Sequence, residues 1–152
     1  MRYAITLTAV AIGFALGGCV PDMDLPKDFV GVSKADLEGH HVRGISADGV
    51  VVGLRSEDNA ENGTVDFWAQ AIQDELKAGR GYELQASEDV KSRSGLEGKL
   101  MTFATHQRGA TFTYMLAIYV KSGKVLLAEA GGKADAVKKY SEPVREALLS
   151  VR

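Results

Sequence analysis

The chain has 152 residues, 45% of them hydrophobic and 25% charged, which is one domain's worth of ordinary globular composition and excludes a low-complexity, collagen-like or polytopic membrane chain. Acidic residues (20) outnumber basic ones (18) and the pI is about 5.9, so a broad basic footprint for nucleic acid is excluded as well. The single Cys forbids an intramolecular disulfide, and with only three His it leaves little for a structural zinc site.

Met1 and Arg2 form a short positive start, and Ala4 to Leu16 follow without a charge. This pattern is a secretory signal. The thirteen-residue run would rise about 20 Å as a helix, against roughly 30 Å of bilayer hydrocarbon, so it does not read as a permanent span. Leu16-Gly17-Gly18-Cys19 then resembles the bacterial lipobox: a branched apolar residue, two small residues and an obligatory Cys. The resemblance implies that the Cys19 thiol is acylated, that Leu16, Gly17 and Gly18 are the recognition residues, and that the signal is cut before Cys19. Two or three acyl chains anchor stably where one would only visit. Val20, in place of Asp, points to the outer membrane under enterobacterial sorting, with the domain facing the periplasm.

Residues 20–35 carry two of the three prolines and three Asp, with neither helical nor strand periodicity, and read as a semi-extended tether. The chain therefore divides into a signal peptide over 1–18, a lipidated Cys and tether over 19–36, and a folded domain over 37–152. In that domain Val42 to Ser46 and Val50 to Arg55 flank Ala47-Asp48-Gly49, which predicts a hairpin. Thr64 caps a helix whose apolar stripe is Val65, Trp68, Ala69, Ile72 and Leu76, stopped at Gly79. Four further strands are predicted: Tyr82 to Val90, Leu100 to His106, Thr111 to Val120, and Val125 to Ala130. The short separators between them make the strands antiparallel neighbours. Phe112 to Val120 is bulky and apolar on both faces, hence a central strand. After Gly131-Gly132 a closing helix carries Val137, Tyr140, Val144, Leu148 and Val151, with Pro143 kinking or restarting it. The fold class is α+β: an antiparallel sheet of about six strands in a layered sandwich with two main helices.

Several residues mark this order: Gly81-Tyr82, Gly95-Leu96-Glu97-Gly98, the aromatic strand Phe112 to Val120, Ala128-Glu129-Ala130-Gly131-Gly132 and the closing helix. The layout resembles the PsbP-like fold, shared by the extrinsic photosystem II subunit, the Ran-binding nuclear import factors and small DcrB-like bacterial lipoproteins. That resemblance implies a protein that binds other proteins or assists membrane complexes. Fold alone carries no activity.

No catalytic, cofactor or metal motif accompanies it. His40-His41 are adjacent, so a strand points them to opposite faces; His106 stands at a strand end, and HExxH and His-x-His spacings are absent. No G-x-S-x-G, P-loop or dinucleotide fingerprint occurs. Ser92 and Ser94 read as loop, and the sequon Asn62-Gly63-Thr64 reads as loop and helix cap. Glu57-Asp58, Asp74-Glu75 and Glu88-Asp89 read as solvated pairs. Phe67, Trp68, Tyr82, Phe103, Phe112, Tyr114 and Tyr119 read as core rather than an aromatic cleft. Glu129 is the one charge in the run Val125 to Ala130; it belongs at an edge or is a paired buried carboxylate. The expected protein is a lipid-anchored envelope accessory, not an enzyme, with a membrane and an envelope-protein partner. The alternative is a small-ligand lipoprotein with a pocket between the sheet and the Trp68 helix, and a hydrolase needs a cleft Ser or Asp within reach of His41 or His106.

Overall fold

The computed structural model describes residues 20–152. Seven strands form one antiparallel sheet: β1 (Phe29–Gly31), β2 (Val42–Ser46), β3 (Val51–Asp58), β4 (Glu83–Lys91), β5 (Glu97–Gln107), β6 (Ala110–Lys121) and β7 (Lys124–Lys133), in the order β1-β2-β3-β7-β6-β5-β4. The β2–β3 hairpin closes through Gly49 at φ 78°, a conformation that suits glycine. Helix α1 (Val65–Arg80) starts on Thr64, whose hydroxyl accepts from Phe67 N (3.2 Å), and ends at Gly81 (φ 64°) rather than Gly79. Position 81, two residues on, is where the backbone turns left-handed.

The closing helix is two: α2 (Ala134–Lys139) and α3 (Ser141–Leu148), broken at Tyr140, with Pro143 in the first turn of α3, where its missing N–H costs nothing. Strand β7 runs on through Gly131 and Gly132 instead of ending at Ala130. A side chain at Gly132 would stand 3.3 Å from the Val50 α-carbon, so the close packing there uses its bareness.

Alternation along β6 puts Ala117 and Tyr119 into one core with Val52, Leu54, Val144 and Leu148 beneath α2 and α3, and puts Leu116 and Ile118 into a second with Phe103 and Leu127 beneath α1. The central strand is thus apolar on both faces because helices cover both. Cover is uneven, however. Seven strands about 4.8 Å apart make a sheet roughly 29 Å wide, whereas one helix is about 10 Å across. Helix α1 packs mainly on β4, β5 and β6, so β1, β2 and β3 lie beyond its cover on that face.

The seventh strand comes from the segment expected to be a free tether. Met23 is buried in the α3-side core, and Asp22 and Arg152 exchange both backbone hydrogen bonds (3.2 and 3.1 Å). Leu25 lies against Gly31 and Gly44, where a β-carbon would stand 3.2 and 2.8 Å from its methyls. The prolines and aspartates remove periodicity but not packing: Asp24 takes the Arg93 (2.6 Å) and Arg152 (2.7 Å) guanidiniums. The Arg152 hydrogen bond and then that of Arg93 hold the Asp24 carboxyl below its ordinary 3.8. A depressed carboxyl stabilises above its unfolded value and loses that contribution as pH falls through the folded one. The protection of the amides of residues 22–25 from hydrogen exchange, measured relative to their intrinsic rates, is therefore expected to fall as pH drops below 3.8, and Asp24→Asn to show the lower protection already at neutral pH.

Candidate functional site

Glu129 stands on β7 opposite Gly53 on one side and Leu116 on the other, facing α1 in the middle of the sheet. It is neither at an edge nor at a strand end. Its side chain is 19% exposed and collects three groups: Tyr114 O–H donates to Oε2 (2.6 Å), His40 Nε2 meets Oε1 (2.8 Å) and Arg55 Nε lies 3.4 Å from Oε1. Burial first, and then the Glu129 charge, push the Tyr114 phenol far above its ordinary range, so it stays a donor. Burial is the largest influence on the Arg55 guanidinium and works against its charge, but Glu129, Tyr114 and Glu57 together outweigh it and its pKa is raised.

His40 reaches Glu129 because position 53 is glycine: a β-carbon there would be 2.6 Å from His40 Cδ2. The other ring nitrogen, Nδ1, faces Leu37 O at 2.9 Å, so both nitrogens are engaged. Gly53→Ala is expected to expel the imidazole and cost about 1–2 kcal/mol. NMR of the variant should show the His40 ring released from Glu129 while the Tyr114–Glu129 hydrogen bond stays intact.

Around this cluster the uncovered part of the α1 face forms a cleft of about 760 Å³. Its floor is β3 and β7; Trp68, Ile72, Leu76 and Tyr82 form the α1 side; Arg43 and Arg80 stand among its charges. Buried Asn59 fixes the helix start by accepting from Trp68 Nε1 (3.0 Å) and Gly63 N (2.8 Å). The α1–sheet interface is therefore packed over β5 and β6 and open beside β3. Among the described residues, no Ser, Thr or Cys lines the cleft.

The sequence candidates are distributed as follows. His40 and His41 do point to opposite faces: His40 lines the cleft, whereas His41 lies outside it and pairs through Nε2 with Ser56 Oγ at 2.8 Å. His106 bonds Thr111 (3.0 Å) on the surface and meets neither. Among the described residues no group of three His, Cys, Asp or Glu could hold a metal. Ser92 and Ser94 are structural, tying the β4–β5 turn to Leu96 N and Val151 O. Glu57, Asp58, Glu88 and Asp89 each pair with a cationic side chain. Phe103 and Tyr119 are core, but Trp68, Tyr82 and Tyr114 line the cleft and Phe67 is 58% exposed, which corrects the all-core reading. Leu16, Gly17, Gly18 and Cys19 lie outside the described residues.

An antiparallel sheet with α1 on one face and a split C-terminal helix on the other is the PsbP-like fold, as the layout implied; the strand count is seven rather than six. Cyanobacterial PsbP (CyanoP) from Synechocystis superposes with a TM-score of 0.60 at 11% identity, covering 95% of this chain and 96% of that one. LpqN, involved in cell envelope biogenesis of Mycobacterium tuberculosis, gives 0.62 at 13%, covering 86% and 81%. A Pseudomonas aeruginosa protein of unknown function gives 0.52 at 12%, covering 97% and 92%. No protein-family model matches the sequence, and no curated protein matches it.

Proposed function

We propose that this chain is an exported bacterial lipoprotein, anchored through Cys19 and facing the periplasm from the outer membrane. Its domain is a non-catalytic binding or assembly accessory that receives an envelope protein on the open half of the α1 face. The observation that carries this reading is the cleft itself: a carboxylate fixed by Tyr114, His40 and Arg55, walled by aromatic and aliphatic side chains. Polar groups held in place in this way make a pre-organised surface for recognition. The likeness to an envelope-biogenesis protein supports the same reading. Beside the cleft, Val30 (70% exposed) and Ile45 (43%) form a cross-strand apolar pair that extends its floor toward the sheet edge.

A photo-crosslinker placed at Ile45 in intact cells is expected to capture one envelope protein that a crosslinker at Gln85, on the far edge strand, does not. Equal capture from both positions, or a deletion strain with every envelope complex intact, overturns the reading. The volume of the cleft also lies in the range of small-molecule sites, roughly 300–1,000 Å³, and favours a bound small molecule as the second reading. Native mass spectrometry of the protein drawn gently from cells, showing a fixed added mass that Glu129→Ala removes, would select it. In either case Cys19→Ala is expected to abolish acylation and release the protein from the membrane fraction.

A further inference from the structure

The lipid anchor and the folded body are too close together for the domain to float. Cys19 is three residues from Asp22, and a chain that short spans about 11 Å at most. From Asp22 to Asp24 every residue is tied to the body of the domain. Asp22 and Arg152 exchange both backbone bonds and a side-chain ion pair. Asp24 N donates to Ser150 Oγ (2.8 Å), and Met23 is in the core.

The same end of the molecule carries the β4–β5 turn, because Arg93 N donates to Leu149 O (2.7 Å) and Ser94 Oγ to Val151 O (2.8 Å). Its side chains alternate in sign: Lys91 against Glu97, Arg93 and Arg152 against Asp22 and Asp24. Such a surface offers a donor to each lipid phosphate and an acceptor to each lipid amine. Charge of one sign does not decide the contact; the length of the leash does.

We infer that this end, formed by residues 20–24, the β4–β5 turn and the C-terminus, rests on the phospholipid headgroups, with the strands rising from the bilayer and the cleft left clear on the opposite face of the sheet from the leash. The inference rests on the anchor assigned to Cys19. It replaces a free tether with a fixed stance, and an envelope partner must then approach the domain from the side.

Strand β5 offers a ruler. Glu97 starts it beside the proposed contact and Gln107 ends it, about 33 Å away at roughly 3.3 Å per residue; both are exposed. The processed lipoprotein, purified with its acyl chains, would carry a fluorophore at Glu97→Cys or at Gln107→Cys in vesicles of phosphatidylethanolamine and phosphatidylglycerol containing a headgroup quencher lipid. Loss of fluorescence at position 97 and none at 107 is expected. Inserting about twelve Gly/Ser residues between Val20 and Pro21, which adds roughly 20 Å of reach, should restore the signal at 97 while the acyl mass is retained. Equal quenching at both positions, stronger quenching at 107, or no response to the insertion overturns the stance while leaving the anchor standing. A wild-type protein whose mass shows no acyl chain on Cys19 overturns the anchor, and the stance with it.

Discussion

Glu129→Ala is expected to cost about 2–4 kcal/mol, measured by urea unfolding, because it strands three partners at once. The Tyr114 hydroxyl, half-buried and held as a donor, loses its acceptor; His40 and Arg55 lose the carboxylate that they share. Glu129→Gln keeps an acceptor oxygen and should cost about 1 kcal/mol, and Tyr114→Phe about the same, since each removes a single hydrogen bond. A double-mutant cycle between positions 114 and 129 should then return a coupling of at least about 0.5 kcal/mol, the mark of groups acting as one network. If Glu129→Ala falls within about 0.5 kcal/mol of wild type, the carboxylate behaves as a surface charge and the cleft has no organised centre. Capture from Ile45 should weaken with Glu129→Ala in proportion to the disorder introduced, and survive Glu129→Gln.

Much of this architecture is legible in the residues, and the places where it is not have physical causes. Asp48-Gly49 between two β-prone runs dictates a hairpin, and the 3.6-residue recurrence from Val65 to Leu76 dictates the covering helix, because both signals are local. The two-faced run from Phe112 to Val120 reads correctly as a strand covered on both sides. The segment from Pro21 to Asp28 misleads because loss of periodicity is a statement about hydrogen-bond pattern, not about burial. Met23, Leu25 and Pro26 are apolar teeth in a polar strip, and the glycines that receive Leu25 stand on strands further along the chain, so no local pattern announces the fit. Gly79 misleads because a helix stops where a left-handed residue can be accommodated, and both candidate positions hold glycine.

The site is half visible in the residues. Glu129 announces itself as the single charge in an apolar run, but its partners come from separate segments, and nothing in the spacing of His40, Arg55, Tyr114 and Glu129 foretells their meeting. Gly53 carries a further signal: it interrupts Val51-Val52 and Leu54, and a glycine inside a strand marks the close approach of another group, here the His40 ring. Dimensions supply another. Six strands and one helix on a face leave about half that face without cover, so an open floor follows from element widths alone.

Gly98→Ala is expected to be among the most destabilising single-methyl additions, about 3 kcal/mol or more out of the roughly 5–15 that hold a domain of this size together. The new β-carbon would lie 2.4 Å from Tyr119 Cδ1 and 2.5 Å from the Ile118 carbonyl oxygen. The first clash is with a ring that has nowhere to go: Tyr119 is fully buried, and its hydroxyl donates to Leu148 O (3.0 Å), fixing α3 to the sheet. Burial pushes that phenol up to about 12, so it remains a donor at neutral pH. The second clash is with backbone and is relieved only by parting β5 from β6. Tyr119→Phe alone should cost about 1–2 kcal/mol for the missing hydrogen bond. Tyr119→Leu in the Gly98→Ala background should cost less than the two changes summed, because the smaller side chain removes part of the conflict. Since Gly98 and Tyr119 face α3 while Glu129 faces α1, Gly98→Ala and Glu129→Ala share no partner, and their costs should add. A clear shortfall from additivity would mean that the two faces of the sheet communicate, and that the cleft is shaped by the helices beneath it as well as by α1.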